Sequence, residues 1–170
     1  MKVTIYNAIS IDGYIADSGQ GTEWVTETDW NQFNRLVKQK KAIVMGSTTY
    51  IASGDDFPYN CELNIVMTSQ EKLLNMNKKS NTIFTNKTPQ EIVQMVKAQG
   101  FKELLVIGGG KVNASFLKAG LVDEVIVDIH PTILGSGVRL FEADNLNVDI
   151  KRIKTHEMDE GLTTIRYKVS

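Results

Sequence analysis

Val106-Ile107-Gly108-Gly109-Gly110-Lys111-Val112-Asn113 decides how this chain is read. The apolar run Leu104-Leu105-Val106-Ile107 suits a strand buried on both faces, as in a parallel sheet. It empties into three glycines, after which Val112, Phe116 and Leu117 recur at helical spacing until Gly120. Glycine lets backbone amides approach a phosphate with no Cβ in the way, and a helix start favours the anion. Lys111 adds positive charge beside it. The usual dinucleotide fingerprint has another glycine or alanine where Asn113 stands, and it occurs in the first strand–helix unit. The triplet is therefore a phosphate loop of another kind, or a tight strand-to-helix turn.

The same strand-then-helix grammar repeats outward from the triplet. Ala42-Ile43-Val44-Met45 ends at Gly46-Ser47-Thr48-Thr49-Tyr50, where amides and hydroxyls open a helix that holds phosphate or is simply capped. Leu63-Asn64-Ile65-Val66-Met67 ends at Thr68-Ser69, and Thr82-Ile83-Phe84 is a further short strand. Residues 3–9 form a first strand stopped by the turn pair Asp12-Gly13. Thr28 is read as the N-cap of a helix bearing Trp30, Phe33, Leu36 and Val37. Thr88-Pro89-Gln90-Glu91 combines a Thr cap, a first-position proline and a capping-box Glu, and Gly100 closes that helix. Residues 125–129 make another strand, and Gly161 divides 150–156 from 163–169 as a hairpin. This alternation predicts one α/β domain over 1–170: a mostly parallel central sheet flanked by helices on both faces, with a C-terminal antiparallel hairpin. Ligands in such sheets bind at the carboxyl ends of the strands.

Composition narrows the function. With 42% hydrophobic residues in 170, the chain has material for its own core, burying roughly 70% of its unfolded surface. A net charge of -1 lacks the basic excess of a nucleic-acid binder, and the clusters Lys38-Gln39-Lys40-Lys41 and Lys78-Lys79 are short enough to be solvated helix ends or turns. No apolar run approaches the ~18 residues of a membrane span. With no signal-peptide pattern at the start and Cys61 as the single cysteine, a reduced, cytoplasmic setting is expected. Cys61 reads as a half-buried packing residue, and neither His130 nor His156 stands in a metal-ligand or triad spacing.

Asn7-Ala8-Ile9-Ser10-Ile11-Asp12-Gly13-Tyr14-Ile15-Ala16, Val44-Met45-Gly46-x-x-Thr49-Tyr50, Met67-Thr68-Ser69 and Ile107-Gly108-Gly109-Gly110-x-Val112 follow the order found in dihydrofolate reductases. The form Ser-x-Asp-Gly-x-Ile-Ala, with Phe116-Leu117-Lys118-Ala119-Gly120-Leu121-Val122-Asp123-Glu124 and Pro131-Thr132-Ile133-Leu134-Gly135-Ser136-Gly137, is closer still to the reductase domain of bacterial riboflavin biosynthesis. The resemblance spans nearly the whole chain. It implies an NADPH-dependent reductase, homodimeric, that passes a hydride to a pterin-like or ribosylaminopyrimidine-like substrate. By it, Ala8 and Ile15 contact the nicotinamide, and Gly46, Thr48 and Thr49 cradle phosphate. Thr68 and Ser69 lie at the adenosine end, and Ile107, Gly108, Gly109, Gly110, Lys111 and Val112 form the pyrophosphate loop, with a cis peptide at Gly108-Gly109. Ser47 stands where many dihydrofolate reductases carry the Arg that selects NADP. Asp29 and Phe33, one helical turn apart, match the acid and aromatic that meet a pterin; Asp29 equally suits a helix N-terminal charge. Asp12 is the other acid candidate, or a turn residue. Ser10 and Trp24 complete the substrate side, with packing as the alternative for Trp24. The rival classes are a nucleotide-binding module without catalysis and, more distantly, a metal-dependent nucleotide transferase.

Overall fold

The protein is described here from a computed structural model covering residues 1–76 and 81–170, so that Lys78-Lys79 lies outside the described residues. The elements in order are β1 (Lys2–Ser10), β2 (Tyr14–Ala16), α1 (Glu27–Lys40), β3 (Ala42–Gly46), α2 (Ser47–Ala52), β4 (Leu63–Met67), α3 (Glu71–Leu74), β5 (Thr82–Thr85), α4 (Pro89–Ala98), β6 (Glu103–Val106), α5 (Gly110–Lys118), β7 (Glu124–His130), β8 (Val138–Arg139), β9 (Ile150–Glu157) and β10 (Thr163–Val169). Among the described residues, one sheet runs β5-β4-β3-β6-β1-β7-β10-β9. Its pairings are parallel from β5 through β7, while β10 and β9 are antiparallel. The architecture is the expected one, hairpin included.

Alternate residues of each central strand serve opposite faces. Val3, Val44, Ile65, Leu104, Val106 and Val125 pack with Ile92 and Val96 of α4 and Phe116 of α5. On the other face, Tyr6, Ile43, Met45, Leu105 and Ile126 pack with Phe33 and Val37 of α1. Both faces are covered, so the strands read as unbroken apolar runs.

The cap of α1 is Thr26 and not Thr28: Thr26 is extended (φ −81°, ψ 163°) and its hydroxyl accepts the Asp29 amide at 3.4 Å. Two threonines two residues apart offer the same side chain, and only tertiary contacts choose between them. Thr28 falls inside the first turn, where its amide donates to Glu160. The capping box of α4 forms as read, with Thr88 accepting from the Glu91 amide and Glu91 accepting from the Thr88 amide. Thr88→Ala is expected to cost about 1 kcal/mol, seen as a Tm lower by roughly 2–4 °C in thermal unfolding.

The ribbon formed by β2 and β8 escaped the sequence reading because both strands are too short for any period to show. It joins the loop after β1 to the loop after β7. The Asp12 carboxylate accepts the amides of Leu134 (3.1 Å) and Gly135 (2.7 Å), and Gly137 passes so close to β2 that a Cβ there would lie 2.0 Å from the Ala16 carbonyl oxygen.

Candidate active site

A cleft of about 860 Å³ opens where β1, β3, β4 and β6 end, within the roughly 300–1,000 Å³ of small-molecule sites. Its two halves differ in chemistry.

One half is backbone and hydroxyl. Gly109 precedes α5 without any side-chain cap, so the first amides of that helix have no intrahelical partner. Gly109, Gly110, Lys111 and Val112 line it, with Ile107 behind them. The Gly108-Gly109 peptide is cis, as the resemblance implies. Gly108 itself is buried beneath the surface, where its carbonyl accepts the Gly46 amide at 2.9 Å and ties the ends of β3 and β6 together. Gly46, Thr48, Thr49, Thr68 and Ser69 continue the wall, and Ala8 and Ile15 meet it from β1 and β2. Asn113, the residue that breaks the familiar fingerprint, is fully buried. Its side-chain amide donates to Asn7 Oδ1 (2.8 Å) and to the Leu140 carbonyl (3.0 Å), bracing the loop by hydrogen bonds where a glycine would brace it by close packing.

The other half is aromatic and acidic. Trp30 stacks on Phe33 (5.3 Å between centroids), and Tyr59 meets Phe33 edge-on at 5.1 Å. Asp29 lies at the base of this wall, 2% exposed. One of its oxygens, Oδ1, takes a hydrogen bond from Tyr6; the other, Oδ2, has no hydrogen-bond partner. Burial pushes the Asp29 carboxyl up to about 7, with the Asp128 charge adding to the shift and the Tyr6 hydroxyl opposing it. His130 Nε2 lies 3.6 Å from Asp29 Oδ2. That nitrogen accepts the Thr26 amide, which leaves the ring proton on Nδ1 facing the Asp128 carbonyl. Burial lowers the His130 pKa as well. The ring is neutral near pH 7 and does not hold Asp29 in its charged form.

Behind Asp29 the Tyr6 hydroxyl reaches Asp128 Oδ2 at 2.8 Å, and Gln32 (2.7 Å) and Thr164 (2.6 Å) donate to the same carboxylate. Burial, followed by the neighbouring Asp29 and Asp128 charges, raises the Tyr6 pKa, so the phenol keeps its proton. The sequence reading missed this network. Its one visible signal was an acid inside the apolar strand Val125-Ile126-Val127-Asp128-Ile129.

Besides Gly108, three expected site residues lie outside the cleft wall. Asp12 is absent from the cleft wall: the Ser10 hydroxyl and the amides of Gly135 and Leu134 hold its carboxyl below the usual range, and its job is the loop tie. Ser10 is fully buried and accepts the Tyr14 amide. Trp24 meets the His130 ring edge-on at 5.1 Å, which makes it a support for that ring. Cys61 is half-buried and pushed up to about 11, chiefly by burial, so its thiol is inert at neutral pH. Among the described residues, no three His, Cys, Asp or Glu side chains are grouped to hold a metal ion, and no helix is long and apolar enough to cross a membrane.

The sequence profile of the RibD C-terminal domain matches residues 1–164. The chain belongs to the RibD C-terminal domain family. Within or near this family, the uncharacterized protein YyaP of Bacillus subtilis (strain 168) is 27% identical over 179 residues, spanning 98% of this chain and 94% of its own. The 2,5-diamino-6-ribosylamino-4(3H)-pyrimidinone 5′-phosphate reductase of Methanothermobacter thermautotrophicus is 23% identical over 199 residues, 90% of this chain and 92% of its own. The same fold is found in the Thermotoga maritima diaminohydroxyphosphoribosylaminopyrimidine deaminase/5-amino-6-(5-phosphoribosylamino)uracil reductase, at a TM-score of 0.77 and 17% identity over 99% of this chain and 56% of that one. As a RibD C-terminal domain, the chain is of an oxidoreductase family, and its cleft lies where the fold collects its strand ends.

Proposed function

We propose that this protein is an NADPH-dependent reductase acting on a carbon–nitrogen double bond of a pterin-like or aminopyrimidine-like small molecule. The observation that carries the reading is one cleft with an uncapped glycine helix start at one end and a buried carboxyl with raised pKa at the other. The cradle fits a dinucleotide: a side chain at Gly109 would project toward Thr49 alone, at 3.6 Å, so the glycine leaves bare backbone beside the hydroxyl wall.

In this reading Gly109, Gly110 and Lys111 hold the pyrophosphate with Thr48 and Thr49 opposite. Thr68 and Ser69 serve the adenosine end, and Ala8 and Ile15 pack the nicotinamide. A bound reduced nicotinamide supplies a hydride to the carbon of the C=N bond. Asp29 does the acid's work: it holds a proton at neutral pH and gives it to the nitrogen, so that one hydride and one proton complete the reduction. The carboxylate left behind is stabilised by the Tyr6 hydroxyl, and Trp30, Phe33 and Tyr59 exclude water from the transfer. A second copy of the chain is the expected partner.

The test is a fluorescence titration with NADPH and NADH, followed by NADPH oxidation against dihydrofolate and ribosylaminopyrimidines. Micromolar NADPH binding and substrate-dependent oxidation are the expected results. Failure to bind either nucleotide at millimolar concentration removes the reading.

A further inference from the structure

The charges around the substrate half all have one sign. Glu27 and Asp56 line it, and the one basic residue among the described lining residues is Lys111, at the start of α5 in the opposite half. The N-terminus of α1, the other feature there able to receive an anion, is already engaged. The Asp29 amide donates to Thr26 Oγ1 and the Thr28 amide to Glu160 Oε2, while Glu27 puts a negative charge in the first turn. Trp30, 38% exposed, leaves ring surface open on a wall it shares with Phe33 and Tyr59.

Building on the reductase reading, we propose that the substrate of this site is a flat, amino-bearing heterocycle that carries neither phosphate nor carboxylate. Ring faces stack on the aromatic wall, and amino groups donate to the carboxyls below it. Among the described lining residues of this half a phosphate dianion meets no cation, and it would be set against the exposed carboxylates Glu27 and Asp56. Such repulsion is a device of specificity: it rejects the charged analogue more than it improves binding of the neutral one. Because Glu27 and Asp56 face solvent, the rejection is a screened effect that weakens as salt is raised.

The experiment compares 2,5-diamino-6-ribosylamino-4(3H)-pyrimidinone with its own 5′-phosphate, as substrates in NADPH oxidation and as ligands by quenching of tryptophan emission. The unphosphorylated compound is expected to be favoured by about 10- to 100-fold in kcat/KM or in Kd at low salt. The gap should narrow severalfold in 0.5 M salt (about one-third the Debye length of 0.05 M), and again in the doubly neutralised variant Glu27→Gln/Asp56→Asn, whose sites are both exposed. Equal or better use of the phosphate overturns the proposal and leaves the reductase reading intact. Binding of neither compound at millimolar concentration also overturns it, whereas loss of NADPH binding strikes the reductase reading itself.

Discussion

Asp29→Asn lowers kcat for substrate reduction by at least about 100-fold, the usual scale for removing a general acid, while NADPH affinity changes little. The asparagine keeps the shape and the contact to Tyr6, so packing around Phe33 is retained. The pH profile separates chemistry from architecture. In the parent protein the rate falls as pH rises through about 7, because the Asp29 proton is lost there; in the variant that limb is absent. At alkaline pH the substitution moves stability in the opposite sense to activity. The folded-state pKa lies above the ordinary 3.8, so the folded protein binds this proton more tightly than the unfolded chain. Its contribution is full below about pH 4 and disappears as pH rises through 7. Above that pH the native protein carries a buried charge at a cost on the order of 4 kcal/mol, which the amide does not incur. Urea unfolding at pH 8 should therefore find Asp29→Asn the more stable of the two, a result that a residue needed only for folding does not give. Tyr6→Phe supplies a second check: with the hydroxyl gone, the Asp29 carboxylate loses a stabilising donor and its titration shifts upward.

Gly110→Ala is expected to lose both stability and cofactor. A Cβ at this position would stand 2.2 Å from the Arg139 carbonyl oxygen and 2.8 Å from Glu142 Cγ, and the Glu142 amide is bonded to the Gly110 carbonyl at 3.1 Å. The obstacle is backbone that is pinned in place, so it moves only by displacing β8 from β2. Overpacking of this kind costs about 1–3 kcal/mol or more, equivalent for a chain this long to a fall in Tm of roughly 2–12 °C. NADPH binding should weaken by about 10-fold or more, because the first turn of α5 shifts away from the hydroxyl wall. Gly120→Ala is the control. Gly120 has φ +64° with open space around it, so alanine there strains the backbone and lowers Tm while leaving the NADPH affinity unchanged.

The parts of this protein legible in its sequence are those written locally. Strand-length apolar runs ending at Gly46, Thr68 and Gly108 announced the sheet, and Thr88 to Glu91 announced a helix start, because each signal lies within one element. Asp29 was visible through the family resemblance, its one-turn spacing to Phe33 placing both on one helix face. The hydrogen-bond network behind it was not. Tyr6, Gln32, Asp128 and Thr164 come from β1, α1, β7 and β10 and converge only once the sheet order is set; no local pattern brings residues 6 and 128 together. Asp12 misled for the converse reason. An acid before glycine suits a turn, a site or a tie between loops, and the tie is made by amides more than 120 residues away. Asn113 looked like a flaw in a familiar motif and is a brace for the loop it seemed to spoil.

Asp12 fastening Leu134 and Gly135, together with the narrow passage at Gly137, means that the loops joined by β2 and β8 are set before any guest arrives. Little chain entropy remains to be lost on docking. Association is then governed by diffusion into an open cleft rather than by waiting for a loop to settle, and the bound lifetime alone distinguishes one guest from another.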